Sequence, residues 1–281
     1  MAESQSPFPY TPLNARCLEA QLSSRRFFTY LKKAGHNQAY AFELYLYNAR
    51  LAKAFLFPLH IVEIVLRNGV DEILCSAYGE RWPMDSAFLA LLTTQSQTTL
   101  SKAKARASKQ GTIQKDDVVS RLTFDFWSNL FRAEYDRSLW QTNIKRLFPE
   151  KPDITRASLQ QLVYQINQLR NRIAHHEPIF GRDISGSYKQ IIEVVSYRCK
   201  TSEAWLRSHS TVHQVLRSKP SAERRALQIS VPYDRDIAVL NEEPGAPGFT
   251  DPSSCEARYL IIVDQDGTPK GVIDKATLMP K

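Results

Sequence analysis

The residues whose types and spacing carry the most chemistry are Arg170, Asn171, His175 and His176. They lie in the run SLQQLVYQINQLRNRIAHHEPIF at residues 158–180. A guanidinium is a permanent cation with paired N–H donors, suited to a phosphate or a carboxylate. An imidazole takes and gives protons near neutral pH. An amide beside them can orient either one. The group could therefore hold an anionic ester and move a proton next to it. The same residue types also have a purely structural use. Arg and His in a last helical turn complement the helix dipole and cap its free carbonyls.

The element that must position them is a helix. Leu159, Leu162, Val163, Ile166, Leu169 and Ile173 recur at steps of one, three and four, which predicts an amphipathic helix. Asp153 or Thr155 can cap its start, and Pro178 is expected to stop it. At about 100° per residue the wheel turns Asn171 and His175 away from the apolar stripe and leaves Arg170 at its edge. His176 falls near the other border, close to Leu169 and Ile173. That position suits a packed residue or a C-terminal cap better than a proton carrier.

The rest of the chain reads as more helices. A proline-rich leader, residues 1–14, is expected to rest on the core through Phe8 and Tyr10, with the first helix starting at Pro12 or Asn14. Residues 18–31 have helical spacing, and Gly35-His36-Asn37 is a turn. Residues 38–57 form a second helix that Pro58 closes or kinks. Residues 59–78 form a third, more apolar helix with a second Arg-Asn pair, Arg67-Asn68. Arg67 fits an ion pair with Glu63 or Asp71, four residues to either side, and a place in the active site is the other reading. Residues 86–100 give a short helix. The polar run at 101–114 holds Lys102, Lys104, Arg106 and Lys109, either as a solvated face or as a phosphate-contacting patch. Phe124, Trp127, Leu130 and Phe131 read as core, residues 139–148 as helix, 181–186 as a loop and 188–206 as helix. His209 and His213 are four apart, as metal-binding pairs can be, but no third ligand stands near them in the sequence.

Composition bounds the possibilities. With 281 residues, 43% hydrophobic and 10% aromatic, the chain is long and apolar enough for a sizeable core. A net charge of +8 favours a polyanionic partner. Neither a signal peptide nor an apolar run of membrane-spanning length is read in the sequence, so a cytoplasmic protein with no membrane partner is expected. Cys17, Cys75, Cys199 and Cys255 lack the spacing of a zinc site or a disulfide scaffold, and neither a metal nor a cofactor is expected. Composition shifts after about residue 215. Residues 217–225 read as a linker, and 226–281 as rich in strands, with alternation at 227–231, Gly and Pro at 242–252, a strand at 258–264, a turn at 265–268 and a strand at 271–273. The expected division is 1–215 and 216–281.

The words LRNRIAHHEPI resemble the R-x4–6-H motif of HEPN ribonucleases, in the variant found in bacterial abortive-infection (Abi-like) proteins. The apolar run ending in Leu66-Arg67-Asn68, then Tyr78-Gly79 and Trp82-Pro83, and the segment at 122–131 are similar to the same family. The likeness covers about residues 24–205. It implies a mainly α, HEPN-like helical bundle, here with a small β-containing appendage, and metal-independent cleavage of RNA. On that resemblance Arg170 binds the scissile phosphate, His175 moves a proton, and Asn171 orients one of them. His176 is the other histidine whose spacing fits the motif. Lys102, Lys104, Arg106, Lys109 and Arg172 would contact RNA. The resemblance further implies a homodimer in which two motifs share a cleft, and an RNA or protein antitoxin as a possible partner. A silent RNA-binding module and a structural dimerisation scaffold are the alternatives.

The words YLIIVDQDGTPKGVIDKATL resemble the second half of a CBS motif, a module that often binds adenine nucleotides. The Ser or Thr and the Asp of its ligand site are replaced by Asp274 and Thr277, which reverses the polarity. No second repeat is present. A structural or partner-docking appendage is therefore expected there.

Overall fold

The computed structural model describes residues 8, 10–108 and 113–221, together with three strands at 237–241, 259–263 and 269–274. The chain is mainly α-helical and divides into two units, Met1–Lys219 and Pro220–Lys281.

The first unit begins with α1 (Pro12–Gln21) and α2 (Ser24–Lys33). Residues 18–31 are thus not one helix. Ser23, at φ 68°, turns the chain between the two. Proline takes the first position of α1, where its missing N–H is not needed, and Thr11 caps the helix. Tyr10 packs on the core as expected, stacked on Phe42 at 5.1 Å, whereas Phe8 is exposed and meets Tyr10 edge-on at 5.2 Å. Residues 1–7 and 9 of the leader lie outside the described residues.

Helix α3 (Gln38–Tyr78) runs for 41 residues and passes straight through Pro58. Two helices meeting at Pro58 were expected. A proline inside a helix removes one i→i−4 bond and costs about 3 kcal/mol. Burial outweighs that cost here. Tyr47, Leu51, Phe55, Leu59, Val62, Leu66, Val70 and Ile73 form a stripe on both sides of the proline, each at most 6% exposed. Gly79, with φ 79°, ends the helix in a backbone conformation that side chains with a Cβ seldom adopt.

A 3₁₀ turn (Trp82–Met84) leads to α4 (Ser86–Leu91) and α5 (Thr94–Ser108), so residues 86–100 form parts of two helices. Helix α6 (Lys115–Arg121) is fastened to the end of α3 by Lys115. Its Nζ lies 3.1 Å from Asp71, 3.0 Å from Glu80 and 3.3 Å from the Cys75 sulfur. Burial opposes the charge, but these partners outweigh it and hold the ammonium protonated. Helix α7 (Phe124–Asn129) buries Phe124, Phe126 and Trp127. A 3₁₀ turn and a π turn (Asp136–Trp140) precede α8 (Gln141–Leu147).

Helix α9 (Arg156–Ala174) is the amphipathic helix expected from the spacing, with Leu159, Val163, Ile166, Leu169 and Ile173 buried and Leu162 partly so. Thr155 and Ser158 cap it reciprocally. Then come α10 (Ile184–Arg198), α11 (Lys200–His209) and α12 (Val212–Arg217). Asp183 caps α10 by accepting from the Gly186 N–H, so the expected loop at 181–186 ends three residues early. Helix α12 runs across the boundary expected at residue 215. Helix α3 is the axis of the bundle and packs on α2, α7, α8, α9, α10 and α12.

In the second unit, β1 (Ile237–Asn241) pairs in parallel with β2 (Tyr259–Val263), which pairs antiparallel with β3 (Pro269–Asp274). Strands β2 and β3 match the two expected strands, and β1 was not expected. The expectations at 227–231, 242–252, Cys255 and Thr277 lie outside the described residues.

Candidate functional site

Helix α9 ends at Ala174, four residues before the proline expected to stop it. His175 is the C-cap, at φ −92° and ψ 9°. His176 follows at φ 56°, a left-handed conformation. The His176 N–H reaches the Ile173 carbonyl at 3.1 Å, and the Glu177 N–H reaches the Arg172 carbonyl at 2.8 Å. This pair of backbone bonds is a Schellman motif with histidine in the place glycine usually takes. Arg172 closes the same turn through an ion pair with Glu177 at 3.0 Å. The expected RNA-contacting role of Arg172 therefore competes with a partner already in place.

The segment after the turn is held from α3. Asn48 is only 6% exposed. Its Oδ1 accepts from the Ile179 N–H at 2.7 Å and the Phe180 N–H at 3.3 Å. Its Nδ2 lies 3.5 Å from the Glu177 carbonyl. Phe180 then stacks on Tyr30 at 5.3 Å. Asn48 was not singled out from the sequence. The available signal was one amide inside the otherwise apolar stripe of α3, where a buried polar group requires partners.

Arg170 and Asn171 are brought together. Arg170 Nη1 donates to Asn171 Oδ1 at 3.1 Å. Asn171 Nδ2 lies 3.4 Å from Asp125 Oδ1, which also accepts from Asn167 Nδ2 at 2.7 Å. Asp125 on α7 thereby orients the amide that orients the arginine. Both Arg170 and Asn171 are half-buried. His175 and His176 are exposed, and neither imidazole makes a hydrogen bond or ion pair among the described residues. His175 stands one turn past Asn171, and its backbone N–H bonds the Asn171 carbonyl at 2.9 Å.

Glu63 of α3 lies close enough for Arg170 and Arg67 to act on it. Burial pushes its carboxyl above the usual range, while the two guanidiniums and His60 pull it down and Asp125 adds to the rise. Among the described residues neither Arg67 nor Arg170 forms an ion pair with a carboxylate within 4 Å. The ion pair expected for Arg67 is thus not formed. Arg67 Nε donates to Asn68 Oδ1 at 3.2 Å, and Asp71 is taken by Lys115 and by Trp82 Nε1 at 2.7 Å. The second Arg-Asn pair nevertheless contributes a cation to the same carboxylate that Arg170 faces. Asp125 and Glu63 are the residues of this cluster that spacing along α9 could not indicate, since they come from other helices, whereas Asn167 stands on α9 one turn before Asn171.

The basic run on α5 is a separate feature. Lys102 and Arg106 are exposed, while Lys104 Nζ is 3.3 Å from the Pro83 carbonyl. Among the described residues no hydrogen bond or ion pair links Lys102, Lys104 or Arg106 to Arg170, Asn171 or His175. Lys109 lies outside the described residues. His209 and His213 do not share a helix, because α11 ends at His209. His209 Nδ1 lies 2.8 Å from Ser208 Oγ, and His213 packs edge-on to Tyr188 at 4.9 Å. Among the described residues no group of three His, Cys, Asp or Glu side chains could hold a metal ion. Nor is any helix among them long and apolar enough to cross a membrane.

Comparison with family models, with curated proteins and with solved structures finds no match for this chain. The chemistry of the site itself is what bears on function.

Proposed function

We propose that this chain is a HEPN-type endoribonuclease of a bacterial abortive-infection or toxin–antitoxin system, cytoplasmic, cutting RNA without a metal at a site shared by two copies. The observation that carries the reading is the fixed Arg170–Asn171 pair, oriented by Asp125, one turn from the exposed His175. RNA brings its own nucleophile. His175 takes the proton of a ribose 2′-hydroxyl, the 2′-oxygen attacks phosphorus, and the bond to the 5′-oxygen breaks as that oxygen receives a proton. A 2′,3′-cyclic phosphate and a 5′-hydroxyl result. Arg170 stabilises the charge that grows on the phosphoryl oxygens. Acid and base require two groups, and the exposure of His175 at the helix end supports a reading in which a second copy supplies the other.

The test is cleavage of an RNA oligonucleotide by wild type and His175→Ala in the presence of EDTA. Wild type should cut and leave cyclic phosphate ends. His175→Ala should lose about a hundredfold to ten-thousandfold in rate. Activity abolished by chelator and restored by magnesium would refute the reading. RNA bound equally by both proteins and never cut would favour a silent binding module.

A further inference from the structure

Beside Asn171, α9 carries a row of polar side chains that the proposed cleavage does not use. Gln160, Tyr164, Asn167 and Asn171 follow one another at steps of four, three and four, so they share one helical face. That face lines an open groove of about 480 Å³, which Asp125 and Arg132 also line. The volume falls within the roughly 300–1,000 Å³ of small-ligand sites.

The lining suits a flat, neutral ligand with hydrogen-bonding edges. Its amides offer paired donors and acceptors. Asp125 and Arg132 contribute one charge of each sign, so the groove does not select an anion. Tyr164 is 56% exposed and offers a ring for stacking. Two acceptors then define what the ligand must present. One oxygen of Asp125 takes the N–H groups of Asn167 and Asn171, and the other has no hydrogen-bond partner among the described residues. Asn167 is 9% exposed, and its Oδ1 is buried without a donor among the described residues. A buried acceptor with no donor is uncommon in folded proteins. Acceptors left without donors in the lining call for a ligand that donates, and an amino group on an aromatic ring does so.

We infer that this groove holds a single unstacked nucleobase bearing an exocyclic amine, namely adenine, cytosine or guanine in preference to uracil. The inference rests on the reading of the neighbouring motif as one that handles RNA. Asn171 joins the two parts, since its Oδ1 accepts from Arg170 while its Nδ2 faces Asp125. The base would therefore sit next to the phosphate held by Arg170.

The experiment uses the full chain and fluorescent 2′-O-methyl oligonucleotides, which cannot be cut by 2′-hydroxyl attack. One probe is all uracil, and three others each carry one adenine, cytosine or guanine. At least one amine-bearing probe should bind about tenfold tighter than the all-uracil probe. Tyr164→Ala and Asp125→Ala should each collapse that ratio, and Tyr164 is exposed enough that its variant tests the point without threatening the fold. Equal affinity for all four probes, no binding of any, or a preference untouched by both substitutions would overturn the inference. So would loss of a dimer in Tyr164→Ala with the preference intact, which would make a second copy the occupant. Cleavage of the matching ribo-oligonucleotides is read separately. Base preference without cleavage sinks the ribonuclease reading alone, and cleavage without preference sinks this inference alone.

Discussion

His176 separates two roles that adjacent histidines could share. Its backbone, at φ 56°, forms the left-handed turn that ends α9, while His175 keeps a right-handed conformation and carries its imidazole into the open. For a residue with a Cβ the left-handed region costs roughly 1 kcal/mol, and for a β-branched residue more. His176→Gly is therefore expected to hold or raise the melting temperature and to leave cleavage within tenfold of wild type. His176→Val should lower the melting temperature by several degrees. Thermal melts of both variants, with single-turnover cleavage alongside, check this. A loss of rate in His176→Gly matching that of His175→Ala would give both imidazoles a part in the chemistry. At this scale the sequence marked the residue types suited to chemistry and the apolar face that α9 buries. It did not show where the helix stops. Pro178 suggested a later end, whereas the backbone bonds of His176 and Glu177, with Asn48 holding the next residues from 129 positions away, close it at Ala174.

Between elements, the site is made by three helices whose contributions are remote in sequence. Helix α9 supplies Arg170 and Asn171, α7 supplies Asp125, and α3 supplies Glu63 and Arg67. Periodicity marks each helix as amphipathic but says nothing of which polar faces meet, so this convergence could not be read from spacing. The same limit hid the continuity of α3. Pro58 is a strong local stop, and only the apolar stripe on both sides of it, buried against α10, α12 and α9, overrides it. Glu63 offers a test of the convergence. Burial raises its carboxyl above the ordinary value in spite of Arg170 and Arg67. A carboxyl raised in the folded state contributes most to stability below its unfolded value, and that contribution is lost as pH rises through the folded value. At pH 7 the folded protein carries the cost of a partly desolvated charge. Glu63→Gln should therefore melt higher than wild type at pH 7, and the two should converge as pH falls through about 4. Melting curves across that range decide it. A variant that melts lower at neutral pH would mean that the two arginines hold the carboxylate more strongly than burial opposes it.

For the whole molecule, the helical unit has its own means of staying folded. Its larger core spans Tyr47 to Val212, and a second apolar cluster under α1 and α2 joins it through Phe180. Every residue of the Arg170–Asn171–His175 site, and every residue lining the groove beside it, falls within Met1–Lys219. Composition shifts after residue 215, within α12, a helix too short for periodicity to reveal and anchored by the buried Val212. A chain ending at Lys219 keeps all of α12 and both apolar clusters. It should fold, melt within a few degrees of the full chain, and cut the same oligonucleotide at a rate within about threefold. Ending the chain at residue 211 instead removes α12, and with it the packing of that helix on α3 and α10. Taking the buried Val212 side chain from the core should cost about 1.5–3 kcal/mol, and the melting temperature should drop by roughly 3–12 °C. Calorimetric melts and cleavage of the two truncated chains distinguish the outcomes. If the chain ending at Lys219 folds but no longer cuts, residues beyond 219 contribute to the chemistry, and the site is larger than the three helices that frame it.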